Sequence, residues 1–188
     1  MVATVAPAAG LTLISGPAGG GKSRWSEHLA SVSGRQVVYL ATGPLLPDDA
    51  DWQRRLEKHR RRRPPQWDCL EVGGELAPAL TRLEPGQIAL IDSLGTWVAA
   101  WLDLDAVAWS HRCVELRAAL RGCSCPLLLV CEQVGWGVVP STAQGGRFRQ
   151  RLAALEQQLM ADASAAWLVI AGRALDLFQL SLPVPPES

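Results

Sequence analysis

The chain contains few lysines, has no net charge and lacks long apolar segments. Its 188 residues contain two lysines, Lys22 and Lys58, and its 18 basic and 18 acidic side chains cancel. A neutral chain lacks the broad basic surface of a protein that coats nucleic acid, so we expect no nucleic-acid partner. No segment is long and apolar enough to cross a membrane, and the N-terminal residues lack the basic start of a signal peptide. We therefore expect a cytoplasmic protein without a membrane span.

Signals for disulfides and for metal–thiolate sites are also missing. The five cysteines are an odd number without regular spacing, and one residue separates Cys123 from Cys125 where redox and zinc pairs need two. The chain has three histidines, and no histidine cluster accompanies the Cys123–Cys125 pair. This pattern predicts reduced, unligated thiols.

Short apolar runs alternate with longer amphipathic stretches along the whole chain. The apolar runs predict strands at Leu11–Ser15, Gln36–Ala41, Ile88–Asp92, Pro126–Cys131 and Ala166–Ala171. The stretches between them predict helices at Lys22–Ser31, Asp48–Arg62, Leu94–Trp101, Ala106–Leu120 and Gln144–Ala161. This alternation predicts an α/β fold with a mainly parallel sheet and helices on both faces. We expect a single domain over residues 1–188, with loose ends at about 1–9 and 181–188.

A phosphate-binding motif follows the first predicted strand. The pattern GxxxxGK[ST] is matched by Gly16, Pro17, Ala18, Gly19, Gly20, Gly21, Lys22 and Ser23. Backbone N–H groups of such a loop surround phosphate oxygens, and the next helix adds its positive N-terminus. Lys22 is expected to reach the outer phosphates and Ser23 to hold Mg²⁺. The motif predicts a P-loop NTPase-type fold that binds a nucleoside triphosphate, although it does not name the reaction.

A carboxylate ends the third predicted strand. In the run IALIDS, Asp92 follows four apolar residues. P-loop proteins place a carboxylate at such a strand end for Mg²⁺ or its water shell. An aspartate also ends many strands as a cap, so the P-loop is what makes Asp92 a candidate metal ligand.

The segment EKHRRRRPPQW, residues 57–67, admits two interpretations. Cations at a helix C-terminus are favourable, so the arginines that follow His59 are those of a solvated helix end in the first interpretation. In the second, the same positive charge lowers the pKa of His59, which leaves a neutral imidazole able to attack a phosphate. The arginines would then neutralise a bound triphosphate. This segment alone leaves both interpretations open.

Six motifs follow one another along the chain, at Gly21–Arg24, Tyr39–Thr42, Lys58–Trp67, Ile91–Val98, Glu132–Pro140 and Gly146–Gly172. Together and in this order they resemble the bifunctional adenosylcobinamide kinase / adenosylcobinamide-phosphate guanylyltransferase family of cobalamin biosynthesis. The chain departs from the family's pattern at Lys58, where a histidine is frequent, and at Glu156, where asparagine is usual.

The resemblance implies two reactions and a set of site residues. A nucleoside triphosphate, ATP or GTP, phosphorylates adenosylcobinamide, and GMP from GTP then passes through a histidine to the phosphorylated corrinoid. The guanylylated histidine matches His59. Nucleotide contacts match Arg24, Thr42, Gly43, Arg63, Pro64 and Glu71, and the metal-binding carboxylate matches Asp92. The resemblance also implies a homotrimer.

Other functions remain as alternatives to this interpretation. The chain would be a regulatory nucleotide-binding module, or a kinase without guanylyl transfer, if His59 does not react. A nucleic-acid-dependent ATPase is disfavoured by the zero net charge. His28 and His111 are expected to be packing or surface residues, and Arg147, Arg149 and Arg151 to meet either phosphates or solvent.

Overall fold

The computed structural model describes residues 6–44 and 48–185, without the side chains of residues 51–53, 55, 58 and 59. Within these residues the strands are β1 Leu11–Gly16, β2 Gln36–Ala41, β3 Asp68–Glu71, β4 Gln87–Asp92, β5 Leu127–Glu132, β6 Ala165–Ile170 and β7 Arg173–Asp176. The helices are α1 Lys22–Val32, α2 Ala50–Arg62, α3 Leu76–Leu80, α4 Leu94–Ala100, α5 Ala106–Gly122, α6 Ala143–Asp162 and α7 Leu177–Leu180.

The strands form one sheet in the order β3-β2-β4-β5-β1-β6-β7. All neighbouring pairs are parallel except β6 with β7. The predicted mainly parallel α/β fold is therefore confirmed. Because β5 lies between β1 and β4, the strand of the phosphate loop does not touch the strand that ends in Asp92.

The sheet is buried on both faces, as its nearly continuous apolar strands predict. Alternate residues of the central strands belong to different clusters: Leu13 and Leu129 pack on one face, Ile14 and Leu128 on the other. The first cluster takes in side chains of α3, α4, α5 and α6, and the second is covered by Leu29 of α1. Helices therefore cover both faces of the sheet.

Two short strands were not predicted from the sequence. The four residues of β3 are all exposed, so they lack the apolar run that marks the central strands. The four residues of β7 alternate between exposed and half-buried, as suits an antiparallel edge strand. Short helices α3 and α7 were missed as well, because four or five residues are too few to show a helical period.

The predicted loose ends fall partly outside the description, since residues 1–5 and 186–188 are not described. Among the described helices, none combines the length and the apolar character that a membrane span requires.

Candidate functional site

The phosphate loop connects the end of β1 to the start of α1, where the motif predicts it. Gly16 is the last residue of β1 and Lys22 the first of α1. Gly21 has φ 111°, a left-handed conformation that a side chain would strain. A Cβ on Gly20 would lie 2.5 Å from the backbone oxygen of Val169, so the loop packs directly against β6. Glycine at these positions lets the backbone N–H groups face a ligand.

Lys22 and Ser23 stand on the first turn of α1. The Lys22 side chain is 8% exposed, and its ammonium donates a 2.9 Å hydrogen bond to the carbonyl oxygen of Pro17. The ammonium therefore lies against the phosphate loop, whose bound phosphates it is expected to contact. Within the described residues the Ser23 hydroxyl has no hydrogen-bond partner, which leaves it available to a ligand. Arg24 follows on the exposed side of the same turn.

The sheet brings Thr42, Gly43 and Asp92 to the same edge as the phosphate loop, because the carboxyl ends of parallel strands meet there. Thr42 is buried, and its hydroxyl donates to the carbonyl oxygen of Ser93 at 2.6 Å and accepts from the Ser93 N–H at 2.7 Å. These bonds tie the end of β2 to the turn after β4. A contact from Thr42 to nucleotide stays a prediction.

A chain of side-chain contacts joins the end of α2 to the carboxylate of β4. The Tyr39 hydroxyl donates a 2.7 Å hydrogen bond to Asp92, and the Arg63 guanidinium lies 3.5 Å above the centre of the Tyr39 ring. Burial and the nearby Asp92 charge raise the pKa of Tyr39 above its ordinary value, so its hydroxyl stays protonated and donates. The end of the arginine-rich helix is thereby held near the predicted metal ligand.

Two arginines of α2 form ion pairs with residues of other elements. Arg62 pairs with Glu27 of α1 at 3.1 Å, and Arg60 pairs with Glu71 at the end of β3 at 3.2 Å. Burial raises the pKa of the Glu27 carboxyl, while the Arg62 pair acts in the opposite direction. His59 lies in the last turn of α2, and the position of its side chain is outside the described part of the structure. Pro64 follows the helix end, as predicted.

Glu132 is a site residue that sequence reasoning quoted within a motif without giving it a role. It ends β5, opposite Gly16 in the sheet, and so lies between the phosphate loop and the strand of Asp92. Its carboxylate accepts hydrogen bonds from the Ser93 hydroxyl and from the Gly95 N–H. Burial, together with the Asp92 charge, raises the pKa of Glu132. The available signal was an acidic residue that ends an apolar strand, as Asp92 does.

Glu156 is a second acidic residue that sequence reasoning did not place in the site. On α6, it accepts hydrogen bonds from the Ser15 hydroxyl and from the Gln133 amide, the latter at 2.7 Å to both carboxylate oxygens. Gln133 also donates its backbone N–H to the carbonyl oxygen of Gly16 at 2.9 Å. Glu156 thus connects α6 to the two strands that precede and flank the phosphate loop.

The structure shows the surroundings of the other histidines and of the α6 arginines, whose roles the sequence left open. His111 is exposed on α5, and His28 stacks on Trp25 with ring centres 5.4 Å apart. Arg151 is half-buried, and its guanidinium donates to the carbonyl oxygens of residues 101, 102 and 104 at 2.6–3.1 Å. Arg147 is exposed. The hydrogen bonds of Arg151 connect α6 to the loop after α4.

The residues at this edge of the sheet fit a magnesium ion. Mg²⁺ prefers oxygen ligands and keeps several waters, so it needs few protein groups when phosphates are present. The Ser23 hydroxyl and the Asp92 carboxylate are such oxygens at the ends of the phosphate loop and of β4. Among the described residues no group of three or more histidine, cysteine or acidic side chains is placed to hold a metal.

Comparison with known proteins identifies the family. The family model for cobinamide kinase / cobinamide phosphate guanyltransferase, CobU, matches residues 12–177. The chain belongs to this family. The Escherichia coli bifunctional adenosylcobalamin biosynthesis protein CobU is 32% identical over 177 residues, covering 86% of this chain and 96% of that protein. The Pseudomonas aeruginosa bifunctional adenosylcobalamin biosynthesis protein CobP is 34% identical over 170 residues, covering 88% of this chain and 95% of that protein.

Among solved structures, the likeness of this CobU family member concerns the fold alone. An ATPase from the type III secretion system of pathogenic bacteria matches with a TM-score of 0.56 and 12% identity, over 86% of this chain and 51% of that one. The predicted P-loop NTPase-type fold is confirmed by this architecture.

Proposed function

We propose that this protein phosphorylates adenosylcobinamide with a nucleoside triphosphate and then transfers GMP from GTP to the phosphorylated corrinoid. The observation that carries the proposal is the arrangement at one edge of the sheet. A complete phosphate loop and Asp92 lie there, and Arg63 and Tyr39 hold the end of the His59 helix beside Asp92. Membership of the CobU family supplies the substrate class.

In the kinase reaction, the corrinoid hydroxyl oxygen bonds to the γ-phosphorus while the bond from that phosphorus to the β-phosphate oxygen breaks. The nucleoside diphosphate leaves, and the hydroxyl proton passes to a base. The loop N–H groups and Lys22 would bind the β- and γ-phosphates. Ser23 and Asp92 would hold Mg²⁺, which supplies positive charge against the phosphates. Tyr39 orients Asp92 by donating to one of its carboxylate oxygens.

In the guanylyl transfer, a neutral His59 imidazole nitrogen attacks the α-phosphorus of GTP and pyrophosphate leaves. A phosphate oxygen of the corrinoid then attacks the same phosphorus, which frees His59 and gives adenosylcobinamide-GDP. Arginine guanidinium groups stabilise charge on phosphates by bidentate hydrogen bonds. Arg63 at the helix end, together with Pro64, Gly43, Thr42 and Glu71 around it, is proposed to position this nucleotide.

The proposed localisation, oligomeric state and partners rest on the same family membership. We place the enzyme in the cytoplasm as a homotrimer, with the corrinoid as its small-molecule partner and no nucleic acid. Sedimentation at several protein concentrations would test the trimer.

The decisive experiment uses GTP labelled at the α-phosphate. The purified protein with Mg²⁺ should acquire acid-labile, base-stable label, His59→Ala should acquire none, and adenosylcobinamide phosphate should discharge the label. His111→Ala is the matched control, because His111 is exposed on α5 and has no role in the site. It should label like the parent.

Two results would reject the proposed guanylyl transfer. One is GTP binding by the parent without any label, and the other is equal labelling of His59→Ala. Adenosylcobinamide phosphorylation by the same preparation, followed by chromatography of the corrinoid, tests the kinase half independently.

A further inference from the structure

The loop that follows β5, residues 133–142, starts between the phosphate loop and the turn after β4. At its beginning, the Gln133 N–H donates to the carbonyl oxygen of Gly16 at 2.9 Å. At its far end, the Thr142 hydroxyl oxygen accepts from the Gly145 N–H at 3.1 Å and caps α6. The loop is therefore held at both ends, and its first residues lie at the candidate site.

The middle of this loop exposes three large apolar side chains. Trp136 is 56% exposed, Val138 94% and Val139 71%, and we call these three residues the apolar tip. Apart from chain neighbours, no described atom lies within 4 Å of the positions that Cβ atoms of Gly135 and Gly137 would occupy. The backbone on either side of Trp136 is thus open as well. Large apolar side chains that cluster on a surface mark a site for a ligand or a partner.

The sequence around the apolar tip carries no charge. No residue from 133 to 146 is acidic or basic. Ser141, Thr142 and Gln144 are exposed, and they add hydroxyl and amide groups to the same segment. Such a surface suits a ligand with an apolar body and neutral polar groups at its rim. It does not suit a nucleotide or a polynucleotide, whose phosphates would find no cation there.

A corrinoid has the chemistry that this surface fits. Its macrocycle is a broad, nearly flat ring system with apolar faces, and its rim carries neutral amide groups. The hydroxyl that accepts the phosphate ends a short arm, so the ring must lie beside the phosphate loop when the hydroxyl reaches the γ-phosphorus. The loop after β5 begins at that place, and an indole covers an apolar ring face well.

We propose that the apolar tip binds the corrin ring of adenosylcobinamide in both reactions. The inference rests on the proposed function, since it assigns a site to the acceptor substrate. Phosphorylation and guanylyl transfer act on the same arm of the same molecule, so one ring site beside the phosphate loop serves both. Trp136 covers part of one ring face, and Val138 and Val139 extend that contact.

The first test shortens the apolar tip. Trp136→Ala should raise the KM for adenosylcobinamide about tenfold or more, because burial of an exposed indole contributes strongly to binding. The concentration of adenosylcobinamide phosphate that discharges half of the label from guanylylated protein should rise by a similar factor. The KM for ATP and the extent of labelling by GTP should equal those of the parent, because neither involves the corrin ring.

A matched pair of valines controls for the loss of exposed apolar surface. Val138 and Val114 are both exposed, but Val114 lies on α5 and outside the loop. Val138→Ser should raise the KM for adenosylcobinamide about threefold, whereas Val114→Ser should leave it unchanged. The Tm of each variant should stay close to that of the parent, since exposed side chains contribute little to stability.

A second test measures binding without turnover. In equilibrium dialysis of adenosylcobinamide with a non-hydrolysable ATP analogue present, the parent should retain the corrinoid and Trp136→Ala should bind it about tenfold more weakly. Sedimentation of Trp136→Ala shows whether the apolar tip joins two copies of the chain instead. The variant should have the oligomeric state of the parent.

The outcomes separate this inference from the proposed function. If the parent neither phosphorylates the corrinoid nor takes label, the proposed function fails, and the dialysis still decides whether the apolar tip binds the ring. An unchanged corrinoid affinity in Trp136→Ala, an equal rise of the KM for ATP, or a changed oligomeric state would overturn the inference. Failure of the parent to retain the corrinoid would overturn it too.

Discussion

Replacing Tyr39 by phenylalanine removes one hydrogen bond at the centre of the site and little else. Tyr39 is 2% exposed, and its hydroxyl donates to Asp92 at 2.7 Å. A hydrogen bond to a charged group contributes about 1.5–3 kcal/mol, and the phenylalanine ring keeps the packing and the contact with Arg63. We expect Tyr39→Phe to lower the free energy of unfolding by about 2 kcal/mol, and Tm by about 4–8 °C for a chain of this size.

Urea unfolding at neutral pH measures this change, and a double-mutant cycle assigns it. The same substitution in an Asp92→Asn background should lower the free energy of unfolding by about 1 kcal/mol less, because the acceptor is then uncharged. The kinase rate should fall as well, since Asp92 loses the group that orients it. An unchanged unfolding midpoint in Tyr39→Phe, or an identical loss in both backgrounds, would refute the assigned role of the Tyr39 hydroxyl.

Three further predictions follow from other contacts. Burial and the Asp92 charge raise the pKa of Glu132, so the stability it contributes is present in acid and is lost as the pH rises through its folded-state pKa. Glu132→Gln should flatten that part of a profile of urea midpoints against pH and should match or exceed the parent's stability at the alkaline end. Arg151→Met should lower the free energy of unfolding by about 2–4 kcal/mol, because the carbonyl oxygens of residues 101, 102 and 104 lose their donor. The exposed Arg147→Met should change it by less than about 0.5 kcal/mol. Lys22→Ala should weaken GTP binding about a hundredfold, as measured by calorimetry, and should abolish the rise of Tm that GTP causes. An unchanged affinity would show that Lys22 does not bind the nucleotide.

The sequence by itself determined the fold class, the phosphate loop and the family. Each of these depends on a local pattern. Apolar runs buried on both faces mark central strands, and the loop from Gly16 to Ser23 requires its glycines and its lysine at fixed spacing. Asp92 was recognisable for the same reason, as an acidic residue that ends an apolar strand. The nucleophilic role of His59 came from the family's motif, and it stays a prediction until labelling tests it.

The tertiary structure decided which distant residues share the site. The order of strands is not encoded in any local pattern, and it places β5, with Glu132 at its end, between the phosphate loop and Asp92. Contacts such as Tyr39 with Asp92 or Ser15 with Glu156 join residues 53 and 141 positions apart. Short edge strands escaped prediction because their four exposed or half-buried residues form no apolar run, so only the neighbouring strands reveal them.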